Sequence, residues 1–233
     1  MIDAGAGIEA GRLNRRRLGP WIALGLCGAI IVGVGLGAGL HRLQADHGVL
    51  AAQAQRPAAG LHGQATWAAG AKAAPAILAL RDQSGRGFSL GSLHGRTVAM
   101  AFFDSHCNQA CPLEGRAIAA SERSLPRSQR PVLVVVSVNP ADTAASTRAA
   151  IRKWGLAGIA PWHWLRGSHA ELARVWRVYH IFVAPPHDGD ISHTEALYLI
   201  DRRGDERSGY LYPFAPRFVT LDLRTLATPK AAG

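Results

Sequence analysis

The run Val132-Leu133-Val134-Val135-Val136-Ser137-Val138 leaves this chain few folds to choose from. Apolar, mostly β-branched residues on both alternating sets of positions make a strand that is apolar on two faces. Such a strand belongs at the centre of a sheet covered on both sides. Val98 to Phe103 is a second apolar, β-compatible run, and it precedes a segment rich in Ala, Arg and Glu that reads as a helix. Thr143 to Trp154 is helical in composition and leads to a short strand around Trp162–Leu165. Ser168-His169-Ala170-Glu171 is a capping box that opens a helix through about Val178, and Leu172, Val175, Trp176 and Tyr179 follow at core-facing helical spacing. Ala196 to Ile200 and Ser208 to Tyr212 read as strands joined at the turn Asp201-Arg202-Arg203-Gly204, and Phe214 to Leu226 as a closing helix. Upstream, Ala76 to Leu80 and Gly87 to Leu90 read as two strands joined at Ser84-Gly85. The order β-β, β-α-β-α-β-α, β-β-α predicts an α/β domain with a mixed sheet flanked by helices.

The N-terminus is organised differently. Leu18 to Leu40 carries no charged residue and is long enough to cross a bilayer as a helix. Its Ala and Gly content also imitates a cleaved signal peptide, whose apolar core is shorter. An uncleaved anchor fits the length, and Arg15-Arg16-Arg17 before it keeps the N-terminus cytoplasmic. The expected organisation is a cytoplasmic basic tail over 1–17, a transmembrane helix over 18–40, a flexible tether over 41–74, the folded domain over 75–226 on the outer side of the membrane, and a disordered tail over 227–233. His47 and His62 fall on the tether and are read as solvated.

The formal net charge of +10 favours an acidic partner surface or anionic headgroups. Nucleic acid is the weaker reading of this charge, because no basic stripe is interleaved with aromatics and no finger, knuckle or helix-turn-helix pattern is present; the scattered arginine reads first as a solvated face.

Of three cysteines, Cys27 lies in the apolar span and is read as a small hydrophobe. Cys107 and Cys111 sit where the strand ending at Phe103 turns into a helix opened by Pro112. A helix N-terminus favours thiolate over thiol, which makes such cysteines nucleophiles or metal ligands. Two thiols separated by three residues can close a disulfide or hold one metal ion. Two thiolates and an imidazole suit Cu(I), whereas a structural zinc site asks for four ligands that the cysteine count does not supply.

Cys107-x-x-x-Cys111-Pro112 after an apolar strand, Val136-Ser137-Val138-Asn139-Pro140 after a buried strand, and Ser192-His193-Thr194 before Leu197-Tyr198-Leu199-Ile200-Asp201-x-x-Gly204 together resemble the Sco (SCO1/SenC) family. The resemblance spans about 75–226 plus the single N-terminal span. It implies a membrane-anchored, thioredoxin-like fold and a copper site made by Cys107, Cys111 and His193. It also implies a part in supplying copper to the dinuclear copper site of cytochrome c oxidase, or in reducing that site's cysteines. The pattern departs from the family's at Asn108-Gln109, where Pro-Asp is usual, and at Asn139, where Asp is usual. Losing the acidic residue between the cysteines is expected to lower the thiol pKa. His106, directly before Cys107, is read three ways: a fourth donor, a base for the neighbouring thiol, or a surface residue. His180 and His187 are alternatives to His193 near it in sequence.

Two functions compete. In the first, a copper-binding assembly factor hands its ion to the copper-site subunit of the oxidase by ligand exchange, with another copper chaperone or a thiol reductant as a second partner. In the second, a membrane-anchored thiol–disulfide oxidoreductase attacks through Cys107, the more exposed thiol, and resolves through Cys111. A peroxidase of the peroxiredoxin type is disfavoured, since Met100 and Asp104 stand where that chemistry needs Pro and Thr.

Overall fold

The computed structural model describes residue 58, residues 60–187 and residues 191–228. The basic tail, the 18–40 span with Cys27, His47, Asp188-Gly189-Asp190 and most of the C-terminal tail lie outside the described residues. Among the described residues no helix is long and apolar enough to cross a membrane.

The described chain runs β1 (Ala65–Thr66), β2 (Val98–Phe103), α1 (Ala110–Arg123), β3 (Val132–Ser137), α2 (Ala144–Lys153) and β4 (Trp162–Leu165). It continues through α3 (His169–Val178), β5 (Ala196–Ile200), β6 (Glu206–Leu211) and α4 (Pro216–Ala227). The strands form one mixed sheet in the order β1-β6-β5-β2-β3-β4. β2, β3 and β4 are parallel, with Val98 opposite Val132 and Phe103 opposite Ser137, and β5, β6 and β1 add antiparallel. Every residue of β2 and β3 is buried, as their two-faced apolar sequences require.

Alternation along β2 splits the core in two. Ala99, Ala101 and Phe103 pack with Ile118 of α1, Ile151 of α2 and Leu223 of α4 on one face. Val98, Met100 and Phe102 pack with Leu172, Val175 and Trp176 of α3 on the other. Helix starts follow local chemistry: Thr143 and Ser146 close a capping box on α2, as do Ser168 and Glu171 on α3. The parallel β2-α1-β3 arrangement brings the C-terminal end of β2 and the start of α1 together at one end of the sheet.

Two expectations fail. Ala76–Leu80 and Gly87–Leu90 are not strands; only Arg81 pairs, by single bridges to Gly87 and Arg166. Ala79 at φ 66° interrupts the extended path, and the Asp82 carboxylate gathers Ser84 N–H, Ser84 Oγ–H and Arg86 N–H into a turn. The apolar residues Ile77, Leu80, Phe88 and Leu90 instead plug the sheet face beside α3. The fold also begins before residue 75. Leu61 is buried, β1 pairs with β6, and Lys72 Nζ lies 2.6 Å from the buried Glu206 carboxylate. His62, expected to be solvated, is fastened to Asp222 of α4: its backbone N–H donates at 3.0 Å and its Nδ1 lies 2.7 Å from the same oxygen. Gly63 next to it runs so close to β6 that a Cβ would meet the Gly209 carbonyl at 2.7 Å.

Candidate metal centre

Residues 104–109 form the turn from β2 into α1, and Cys107 and Cys111 are not joined in a disulfide. Cys111 is the second residue of α1 and is fully buried, while Cys107 lies on the turn, half-buried, with its N–H donating to the Asp104 carbonyl at 3.1 Å. The third residue arrives from the far side of the sheet. Val183 and His193 bridge, Ala184 N–H donates to Ser192 O at 2.8 Å, and Thr194 N–H donates to Phe182 O at 2.9 Å. This clamp, just ahead of β5, brings His193 Nε2 to 3.7 Å from Cys111 Sγ.

The imidazole is oriented for that contact. Its Nδ1 lies 3.0 Å from the Thr194 carbonyl, an acceptor only, so Nδ1 carries the proton and the Nε2 lone pair faces sulfur. A metal ion held at about 2.3 Å from sulfur and about 2.0 Å from nitrogen, with an angle of about 110–120° between them, sets the two donors about 3.5–3.8 Å apart. The observed separation falls in that range, and the donor set of soft sulfur and neutral imidazole fits a soft ion. His180 is exposed at φ 56° where α3 ends, and His187 is exposed in the following loop.

Electrostatics at Cys111 run against the simple expectation of a thiolate at a helix start. Its pKa is raised, first by the hydrogen bond it shares with the Cys107 thiol and then by burial, while a backbone hydrogen bond from Asp104 pulls the other way. The Cys107 hydrogen bond and burial together outweigh the backbone hydrogen bond at this sulfur, and the metal-free site holds a protonated Cys111. One turn along α1, Glu114 is fully buried with neither carboxyl oxygen hydrogen-bonded. Burial, helped by the nearby Glu195 carboxylate, pushes Glu114 up to about 8, so it is mostly neutral at pH 7. A neutral Glu114 spares the sulfur a negative neighbour. Glu195 is itself raised by burial, against the opposing effect of His193.

The departures at Asn108 and Asn139 acquire partners. Asn139 Nδ2–H donates to Asp104 Oδ1 at 3.0 Å, and an aspartate there would set two carboxylates against each other. Asn108 Oδ1 accepts from Lys153 Nζ at 3.2 Å, tying the dithiol turn to the end of α2. His106 points Nδ1 at Asp104 Oδ1 and Asp142 Oδ1, each 3.3 Å away, so this nitrogen serves two buried carboxylates. Asp142 accepts from Ser105 Oγ at 2.6 Å and Ser137 Oγ at 2.7 Å, which anchors the turn to the end of β3. Glu114, Asp104, Asp142 and Lys153 were not singled out by the sequence for the site. A glutamate at i+3 from Cys111 was the one visible signal, because that spacing shares a helix face.

The SCO1/SenC family model matches residues 70–228. Among solved structures, the copper-bound ScoI of Bradyrhizobium japonicum is similar at 27% identity and TM-score 0.56, covering 67% of this chain and 99% of that one. Copper-bound yeast Sco1 is similar at 18% identity and TM-score 0.57, covering 69% and 92%. BsSco, described through a disulfide switch and as a member of the Sco family of cytochrome c oxidase assembly proteins, is similar at 20% identity and TM-score 0.58, covering 68% and 95%. A search of curated protein sequences finds no match.

Proposed function

The chain belongs to the SCO1/SenC family, and from that membership we propose that it is a copper-binding assembly factor that supplies the dinuclear copper site of cytochrome c oxidase. The reading rests on one observation above the others: Cys111 Sγ and His193 Nε2 stand 3.7 Å apart with the imidazole tautomer already set. Cys107, Cys111 and His193 are the proposed ligands. Copper is the cargo, and Cu(I) suits two thiolates and one imidazole because it is satisfied by few, soft ligands.

The protein's own groups then have defined tasks. The Thr194 carbonyl holds the His193 tautomer, and the Asp104–Asp142–Ser105 network holds the turn that carries Cys107. Uptake displaces the thiol protons, so loading becomes stronger as pH rises. Half-buried Cys107 is the ligand a partner's thiolate reaches first, and exchange starts there. The 18–40 span is proposed to anchor the domain at the membrane with the site on the outer side, where the oxidase subunit presents its copper ligands.

A second reading keeps the same thiols for electron transfer. It is favoured by the unequal exposure of Cys107 and Cys111, which sets an order of attack and resolution, and by the disulfide switch described for BsSco. X-ray absorption at the copper edge separates the two. The copper reading expects two sulfurs and one nitrogen in the loaded protein and loss of the nitrogen in His193→Ala. A spectrum without that nitrogen in the unaltered protein leaves thiol exchange as the function.

A further inference from the structure

At the other end of β2 from the dithiol lies a cavity of about 170 Å³ whose wall is unusually rich in cations. Arg96 and Thr97 lead into β2, Ser128, Gln129 and Arg130 precede β3, Arg202 follows β5 and Ala227 ends α4, so four chain segments converge there. Among the described residues no carboxylate lines it.

Two of the three guanidiniums are held in place by backbone carbonyls without being neutralised. Arg130 donates from Nε to the Leu125 carbonyl at 3.1 Å and from Nη1 to the Ile159 carbonyl at 2.9 Å. Arg202 donates from Nε to the Gly95 carbonyl at 2.9 Å, which leaves its outer nitrogens for another acceptor. Arg96 is exposed, and among the described residues its guanidinium forms no ion pair. The neighbouring acids are committed elsewhere. Asp201 pairs with Arg207 at 3.0 Å, and Glu122, which senses the charge of Arg130, is pushed up to about 8 by burial and so is mostly neutral at pH 7. Three like charges around one polar cavity repel unless an anion sits between them. Planar guanidinium groups match the oxygens of a tetrahedral oxyanion, and Ser128 and Thr97 line the same cavity.

We propose that this cavity binds a phosphate group, held among Arg96, Arg130 and Arg202. The same chemistry serves a free phosphate anion or the headgroup of an anionic lipid. If a headgroup fills it, the six-residue length of β2 keeps the dithiol about 20 Å from the bound phosphate. Nothing in this site depends on copper or on the thiols.

The test uses the full-length protein in a zwitterionic detergent, with amide hydrogen exchange of residues 127–130 as readout. Inorganic phosphate is titrated against chloride at matched ionic strength. Saturable protection by phosphate alone is expected, with the midpoint raised at least tenfold in Arg96→Gln/Arg202→Gln. The charge-matched control Arg174→Gln/Arg177→Gln, on exposed positions of α3, is expected to keep the original midpoint. Retained Cu(I) binding checks that each variant is folded. Protection that chloride reproduces, or that both double variants change equally, overturns the proposal. Nanodiscs then identify the source. Protection in discs containing one-third phosphatidylglycerol, but not in phosphatidylcholine discs, assigns a lipid headgroup. Protection only after phosphate is added assigns the free anion.

Discussion

Glu114→Gln tests how the protein tolerates a carboxyl group next to its thiols. Glu114 is fully buried, has no hydrogen bond to either oxygen, and has its pKa raised from 4.5 to about 8. In that window the folded state keeps a proton that the unfolded state releases, so stability is lost as pH rises from about 4.5 to about 8. The penalty from this one group grows from about 1 kcal/mol at pH 5 to about 4 kcal/mol at pH 8, to order of magnitude. Glutamine has the same shape and no titration. The stability of Glu114→Gln relative to the unaltered protein should therefore rise by about 3 kcal/mol over that interval. Glu122, also raised to about 8, titrates in both proteins and cancels in the difference. Urea unfolding of the reduced, metal-free proteins at pH 5, 6, 7 and 8 reads this directly. A difference that stays constant with pH would refute the reasoning, because it would mean that Glu114 is solvated or partnered in the folded state.

His62→Ala removes a side-chain partner from the fully buried Asp222, which keeps Ser208 and Tyr210, each at 2.6 Å, and should cost about 1–3 kcal/mol in urea unfolding. The same variant should make the chain around residues 61–66 a new site of limited proteolysis, and an unchanged digestion pattern would contradict its place in the fold. Ser168→Ala opens the capping box of α3 and should cost about 1 kcal/mol, read as a shift of the unfolding midpoint with unchanged denaturant slope.

The parts of the fold legible in the sequence are those whose signal is local. The β-branched run of β3 and the apolar run of β2 can be buried in only one way, and Ser168 with Glu171 marks a helix start from four residues. Residues 61–74 carry no such signal, because an Ala- and Gly-rich segment has no period and is held by groups over a hundred residues away, Ser208 and Asp222 among them. Ile77 to Leu90 misleads for the opposite reason. Its apolar residues look like strands, but they fill a sheet face, and side-chain bonds to Asp82 set the backbone. At the site, Cys107, Cys111 and His193 were visible as residue types in recurring blocks. The tautomer of His193, the neutral state of Glu114 and the match of Asn139 to Asp104 come only from elements that meet in three dimensions.

The central claim is that the dithiol and His193 form one copper site. A Cu(I) competition titration of the reduced full-length protein, run beside His193→Ala and Cys107→Ser/Cys111→Ser, tests it most directly. The account predicts tight one-to-one binding that weakens at least tenfold in His193→Ala and disappears in the double variant. Binding that is unchanged without His193, or that survives loss of both thiols, would contradict it.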